Sequence, residues 1–238
     1  MDVGLVALAA LTVVMVVLAL TQVGRSRDTE PVTSATAAEA TPGMTRSPLP
    51  PGAPRAVFLG DSGTAGVGAD GQPGWATHVA TAQGWAEINR ALPGTGYVTS
   101  ITGEAARAVC GQDSCPSYAE LLAEVAAADP DVIVVSGGRE DAERSVTRPA
   151  GELFVALQQQ VPDARIIVVS PLWDESPLSA DMAGTITGVR TAAQQTGVQY
   201  IDIRQPLNGR ADLVAPDGNN PNPAGHRAVA DAVLAGLG

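Results

Sequence analysis

A serine stands just beyond the end of a short apolar run. Gly60-Asp61-Ser62-Gly63 follows Arg55-Ala56-Val57-Phe58-Leu59. A serine in such a place, flanked by glycines, can offer both its hydroxyl and its backbone N–H to a bound carbonyl, which suits a nucleophile. The same letters also fit a glycine-rich turn with an incidental serine, so the tripeptide alone decides nothing. Two phosphate-binding readings of this loop fail. Gly66-Val67-Gly68-Ala69-Asp70-Gly71 matches a dinucleotide fingerprint by letter, but it starts several residues past the apolar run and leads into Gln72-Pro73-Gly74 instead of a helix. A P-loop needs a lysine, and all 14 basic residues are arginine.

The chemistry needs elements to position it. Residues 55–60 read as a first strand and residues 131–136, 165–170 and 198–203 as three more, with a weaker strand signal at 85–90. Helical patterns cover residues 74–83, 117–128, 151–161, 178–195 and 223–237. The last begins with Asn222 as an N-cap and Pro223 at the first helical position. Alternating strands and helices imply a mostly parallel, flavodoxin-like sheet covered on both faces, in one three-layer α/β/α domain over residues 55–238. In such sheets ligands lie at the carboxyl ends of the strands, where Ser62 falls.

Several segments then come in a familiar order. Gly60-Asp61-Ser62 resembles block I of the SGNH/GDSL hydrolases. Asn89-Arg90-Ala91-Leu92-Pro93-Gly94-Thr95-Gly96-Tyr97 resembles block II, whose glycine N–H helps form an oxyanion hole; Gly94 fits that place. Ser136-Gly137-Gly138-Arg139-Glu140-Asp141 is similar to block III, and Asp217-Gly218-Asn219-Asn220-Pro221 to block V. Gly225-His226 and its Ala-rich surroundings also look like that family's C-terminus. The resemblance runs from about Arg55 to the end and implies an ester hydrolase with Ser62 as nucleophile and Asp217 as the acid of the triad.

Two positions depart from the pattern. Glu140 stands where block III has an oxyanion-hole asparagine, and Asn220 stands where block V has the catalytic histidine. A serine hydroxyl needs an adjacent base, and asparagine has no basic nitrogen. An ionised Glu140 accepts hydrogen bonds and repels the negative charge that develops on a carbonyl oxygen. Neither histidine offers a replacement: His226 lies inside the last helical pattern, and His78 in the first, away from any strand end. Three readings result. In the first, the domain is catalytically degenerate and binds or scaffolds. In the second, it is a serine esterase or acetylesterase with a non-standard base, Glu140. In the third, it is a purely structural envelope protein. The ligand implied by the resemblance is an acyl ester, an acetylated carbohydrate or a lipid in the cleft. Asp61 is a further expected binding residue, and so is Trp173, because Pro171-Leu172-Trp173 follows a strand. No metal or organic cofactor is expected.

The remaining features bear on place. Residues 3–24 carry no charge and lack an amphipathic period. As a helix they would cross a hydrocarbon core of about 30 Å, so residues 1–24 read as a transmembrane anchor. They fit a cleaved signal peptide poorly, because the n-region is only Met1-Asp2. Residues 25–54, rich in Thr, Ala, Pro and Ser, read as a linker. Arg25 and Arg27 would favour a cytoplasmic location for the domain. The linker and the only two cysteines, Cys110 and Cys115, favour the opposite side, since a disulfide persists outside the reducing cytoplasm. The net charge of -11 supplies no basic surface for nucleic acid. The expectation is an extracytoplasmic domain. A reporter active only outside the cytoplasm, fused after Gly238, should therefore be active in cells. A signal from a reporter restricted to the cytoplasm would reverse the orientation.

Overall fold

The computed structural model describes residues 51–238. The anchor and most of the linker lie outside the described residues. Five parallel strands form the central sheet in the order β2-β1-β5-β6-β7. They are β1 (Arg55–Gly60), β2 (Ala86–Asn89), β5 (Val132–Ser136), β6 (Arg165–Val169) and β7 (Gln199–Ile201). All five expected strands are present, the weak one at 85–90 included.

The sheet is buried on both faces, which explains why its strands read as continuous apolar runs and not as alternations. Val57, Leu59, Ile133, Val135, Ile166 and Val168 belong to one core cluster. Their neighbours Ala56, Phe58, Val132, Val134, Ile167 and Val169 belong to the other. The first face is covered by α5 (Thr147–Gln160) and α6 (Ala180–Thr196), through Leu153, Phe154, Leu157, Val189, Ala192 and Ala193. The second is covered by α2 (Trp75–Gln83) and α7 (Pro223–Leu237), through Trp75, Val79, Val229 and Val233. This is the expected three-layer architecture.

Local differences from the expectation have local causes. The 117–128 helix is split into a 3₁₀ turn at Ala119–Leu121 and α4 (Leu122–Ala127). Helix α5 starts four residues earlier than the pattern suggests. Its Pro149 lies in the first turn, where no intrahelical N–H bond is lost. Residues 101–115 give no sequence signal. They form a two-residue antiparallel pair, β3 (Ile101–Thr102) with β4 (Ser114–Cys115), around α3 (Gly103–Cys110). Strands of two residues are too short to show a period. Cys110 and Cys115 are disulfide-bonded, closing the end of α3 onto β4.

Asn222 is the N-cap of α7. Its Oδ1 accepts from the N–H groups of Ala224 and Gly225, each at 3.0 Å. Its Nδ2 donates to the carbonyls of Asp212 and Val214. One side chain therefore satisfies the helix start and ties it to the loop that precedes it. Asn222→Ala should lower the unfolding free energy by about 1–2 kcal/mol, the upper part of the range for a lost cap. A shift in the urea midpoint with an unchanged m-value would show it.

Candidate active site

The ends of three strands lie side by side: Gly60 of β1 is in register with Ser136 of β5, and Ser136 with Val169 of β6. The first turn beyond β1 carries Ser62. It is the short helix α1 (Ser62–Ala65), with Asp61 as its N-cap accepting from Gly63 N–H at 3.2 Å. Thr64 Oγ1 donates to Ser136 O at 3.3 Å, and Asn89 Nδ2 donates to Thr64 O at 2.9 Å. These bonds pin the turn to the strands on either side. Gly60 is required for this approach, because a Cβ there would overlap Ser136 O and Thr64 Oγ1.

Beyond β5, two glycines with positive φ, Gly137 and Gly138, lead into a 3₁₀ turn at Arg139–Asp141. Asp141 is fully buried and accepts from the N–H groups of Tyr97 at 2.7 Å and Val98 at 3.3 Å, and from Thr99 Oγ1 at 2.6 Å. It thereby holds the loop after β2, which contains Gly94. Leu92 N–H donates to Gly60 O at 2.9 Å and anchors the near end of that loop.

The last segment is the loop before α7. Asp217 Oδ1 accepts from the N–H groups of Asn219 and Asn220, at 2.8 and 2.9 Å. Asp217 Oδ2 accepts from the Asn220 side-chain amide at 2.7 Å. Desolvation, the largest single influence on Asp217, pushes its pKa up. The hydrogen bonds from Asn220 and Asn219 and the Arg139 charge outweigh it and hold the carboxyl below its ordinary value. The loop also meets the serine turn directly. A Cβ on Gly68, whose φ is +87°, would overlap Pro221 O and crowd Asn220.

Ser62, Glu140 and Asn220 line one cavity of about 260 Å³. Asp61, Gly63, Arg139 and Asn219 supply further polar wall, and Leu172 and Pro221 the apolar part. Asp61 is 7% exposed. Burial pushes its carboxyl up to about 6, the Glu140 charge adds to this, and the Gly63 N–H and Arg139 pull the other way. Asp217 stands behind Asn220, one hydrogen bond from the cavity. Two further expected residues, Gly94 and Trp173, are not in its wall. Gly94 lies in the loop after β2 with φ +80°. From the loop after β6 it is Leu172 that faces the cavity, while Trp173 carries the Arg139 guanidinium 4.7 Å from its ring centroid.

Neither histidine takes part. His226 is fully buried, with Nδ1 accepting from Trp75 N–H at 3.2 Å and Nε2 at 3.0 Å from Val67 O. Two such partners fix a neutral ring, and burial lowers its pKa. His78, on α2, is lowered by burial and then by Arg227. Among the described residues there is no cluster of potential metal ligands.

Sequence reading misses Arg139 and Asp174. They form an ion pair at 2.5 Å, Arg139 from the cavity wall, with side chains only 19% and 10% exposed. Arg139 is visible as a strand-end residue. Asp174, 35 positions away, carries no spacing signal.

The sequence over residues 58–228 matches the GDSL-like lipase/acylhydrolase family. The chain belongs to this family. A GDSL lipase of Mycobacterium tuberculosis is 26% identical, with 74% of this chain and 78% of that protein covered. Two solved esterases share the fold. An acetylxylan esterase from Geobacillus stearothermophilus, a catalytic mutant, superposes with a TM-score of 0.53 at 19% identity, covering 78% of this chain and 94% of that one. A carbohydrate esterase family 2 enzyme from Corynascus thermopiles gives 0.59 at 20% identity, covering 81% and 68%. Within the GDSL-like fold, Glu140 and Asn220 thus occupy the cavity that holds Ser62.

The raised Asp61 pKa makes stability depend on pH. Its ordinary value is 3.8 and its folded value about 6, so between these the folded protein holds the proton more tightly than the unfolded chain. That stability is complete below 3.8 and is lost as pH rises through about 6. His226 acts in the opposite sense in the folded protein: its lowered pKa gives stability that is present above 6.5 and lost as pH falls. Comparing the wild type with Asp61→Asn cancels the histidine. Between pH 4 and pH 7 the wild type should lose about 2 kcal/mol relative to that variant, from about 1.4 kcal/mol per pKa unit, because part of the shift is already spent at pH 4. Urea unfolding at the two pH values measures it, and parallel losses in both proteins would refute the assignment.

Proposed function

We propose that the domain is a catalytically degenerate GDSL-type fold that binds a ligand in its serine cleft without turning it over. The observation that carries this reading is the 2.7 Å hydrogen bond from Asn220 Nδ2 to Asp217 Oδ2. It keeps the acid-to-donor half of a triad and puts an amide where the base must be. In subtilisin, loss of the catalytic histidine costs about 10⁶ in kcat, and loss of one oxyanion-hole donor about 10²–10³. Glu140 adds repulsion where a donor is needed. The polar cavity, with apolar wall only from Leu172 and Pro221, favours an acetylated carbohydrate over a long acyl chain. The names of the structural neighbours, an acetylxylan esterase and a carbohydrate esterase, point the same way. The apolar segment at residues 3–24, the linker and the disulfide support placement of the domain at the outer face of a membrane.

One observation favours a second reading. Glu140 lines the same cavity as Ser62, so it is a candidate base for an active esterase with a rewired site.

Hydrolysis of p-nitrophenyl acetate by the purified protein, with Ser62→Ala as control, separates the two. The wild type should show no Ser62-dependent turnover. Asn220→His with Glu140→Asn should show some, exceeding the product of the single changes because these groups act as a unit. Ser62-dependent turnover by the wild type would make Glu140 the base. A folded but inert double variant would mean that the cleft itself has been remodelled.

A further inference from the structure

Arg139 joins partners from two different loops at the edge of the cleft. Its Nη1 donates to Asn219 O, and its Nη2 to Asn219 Oδ1 at 3.1 Å. Nη2 also pairs with Asp174 Oδ2. The guanidinium lies over Trp173. Asp174 is held in turn by Ser176, whose N–H donates to Oδ1 at 2.9 Å, and Trp173 Nε1 donates to Ser176 Oγ at 3.1 Å. Asn219 is the neighbour of Asn220 and shares Asp217 Oδ1 with it.

This pattern argues against an anion receptor. The guanidinium charge is already matched by Asp174 in a nearly buried pair, and Glu140 in the same wall would repel an anion. It fits a clamp. A planar fork with several fixed donors can bond two groups and stack on a ring at once, which a lysine cannot.

We propose that Arg139 is the positioning residue of the cleft: by joining Asn219 to Asp174 and Trp173, it sets the orientation of Asn220 and its hydrogen bond to Asp217 opposite Ser62. This rests on the proposed function only for the identity of the cleft, and it holds whether or not Ser62 turns over.

The test reads Asn220 directly, in the full chain. Its side-chain amide gives a pair of ¹H–¹⁵N cross-peaks, and the proton donated to the Asp217 carboxylate should lie downfield and move as Asp217 titrates. Arg139→Lys keeps the charge facing Asp174 but loses the fork and the stacking. Arg139→Gln with Asp174→Asn removes both charges together. In each, the Asn220 pair should collapse toward the shifts of a free amide, and the titration midpoint should rise toward 3.8, the ordinary value for Asp217. The remaining backbone cross-peaks should keep their dispersion. Variants that fold and retain the wild-type Asn220 shifts and midpoint would overturn the proposal, leaving Arg139 as a staple between loops. Unfolding of both variants would also overturn it, by making Arg139 a residue of general stability. Hydrolysis enters no part of the readout, so failure of the pseudoenzyme reading would be seen separately, in the ester assay.

Discussion

The site depends on the closeness of two backbones at the end of β1. Gly60 lies against Ser136 O and Thr64, with no room for a Cβ. That contact allows the chain to turn sharply into α1 while Thr64 bonds back to β5. The nucleophile position, the β5 loop and the Asp217 loop all take their places from it. A side chain at Gly60 would push the serine turn off the sheet, and the cavity would lose one wall. The parallel register of Gly60 with Ser136 and Ser136 with Val169 brings the loops after β1, β5 and β6 to one end of the sheet. The two apolar cores fix that register from both faces of the sheet.

Charge is managed within the cleft by pairing and by protonation. Arg139, in the wall, is neutralised by Asp174. Asp61, the N-cap of the serine turn, is buried, and the cost of ionising it there brings its pKa to about 6. Glu140 is the exception. It is exposed at the cavity mouth and raises the cost of ionising Asp61. A carboxylate in that position makes the site electrostatically unlike an oxyanion hole, which needs donors aimed at developing negative charge.

The main elements are legible in the sequence because the physics behind them is local or periodic. Buried parallel strands appear as runs of β-branched residues, and the final helix announces itself by Asn222-Pro223. The serine turn, the Glu140 and Asn220 departures and the cysteine pair are readable from residue types at strand ends. The clamp is not. Asp174 meets Arg139 through the folding of two loops 35 residues apart, and no period or short spacing encodes such a meeting. The small β3–β4 pair is invisible for another reason: two-residue strands depend on the helix and disulfide beside them and not on their own pattern. For Trp173, a place after a strand suggests ligand binding. The place is right, but the ring is used to carry an arginine.

The Asn220 geometry shows that the two halves of a triad histidine are separable. An imidazole donates from one nitrogen to the acid and accepts from the serine with the other. A carboxamide has one donor group and one acceptor oxygen. Its donor satisfies Asp217 here at 2.7 Å, and the backbone bonds to Asp217 Oδ1 keep the loop in shape. The structural half is therefore preserved in full. The acceptor oxygen can receive a hydrogen bond from a hydroxyl, but it cannot hold the proton once the serine attacks. Such a substitution leaves the loop, the cavity and the resting hydrogen bonds intact and removes only proton transfer. The fold and the resting hydrogen bonds do not need the base, and this is the physical basis of the proposed binding role.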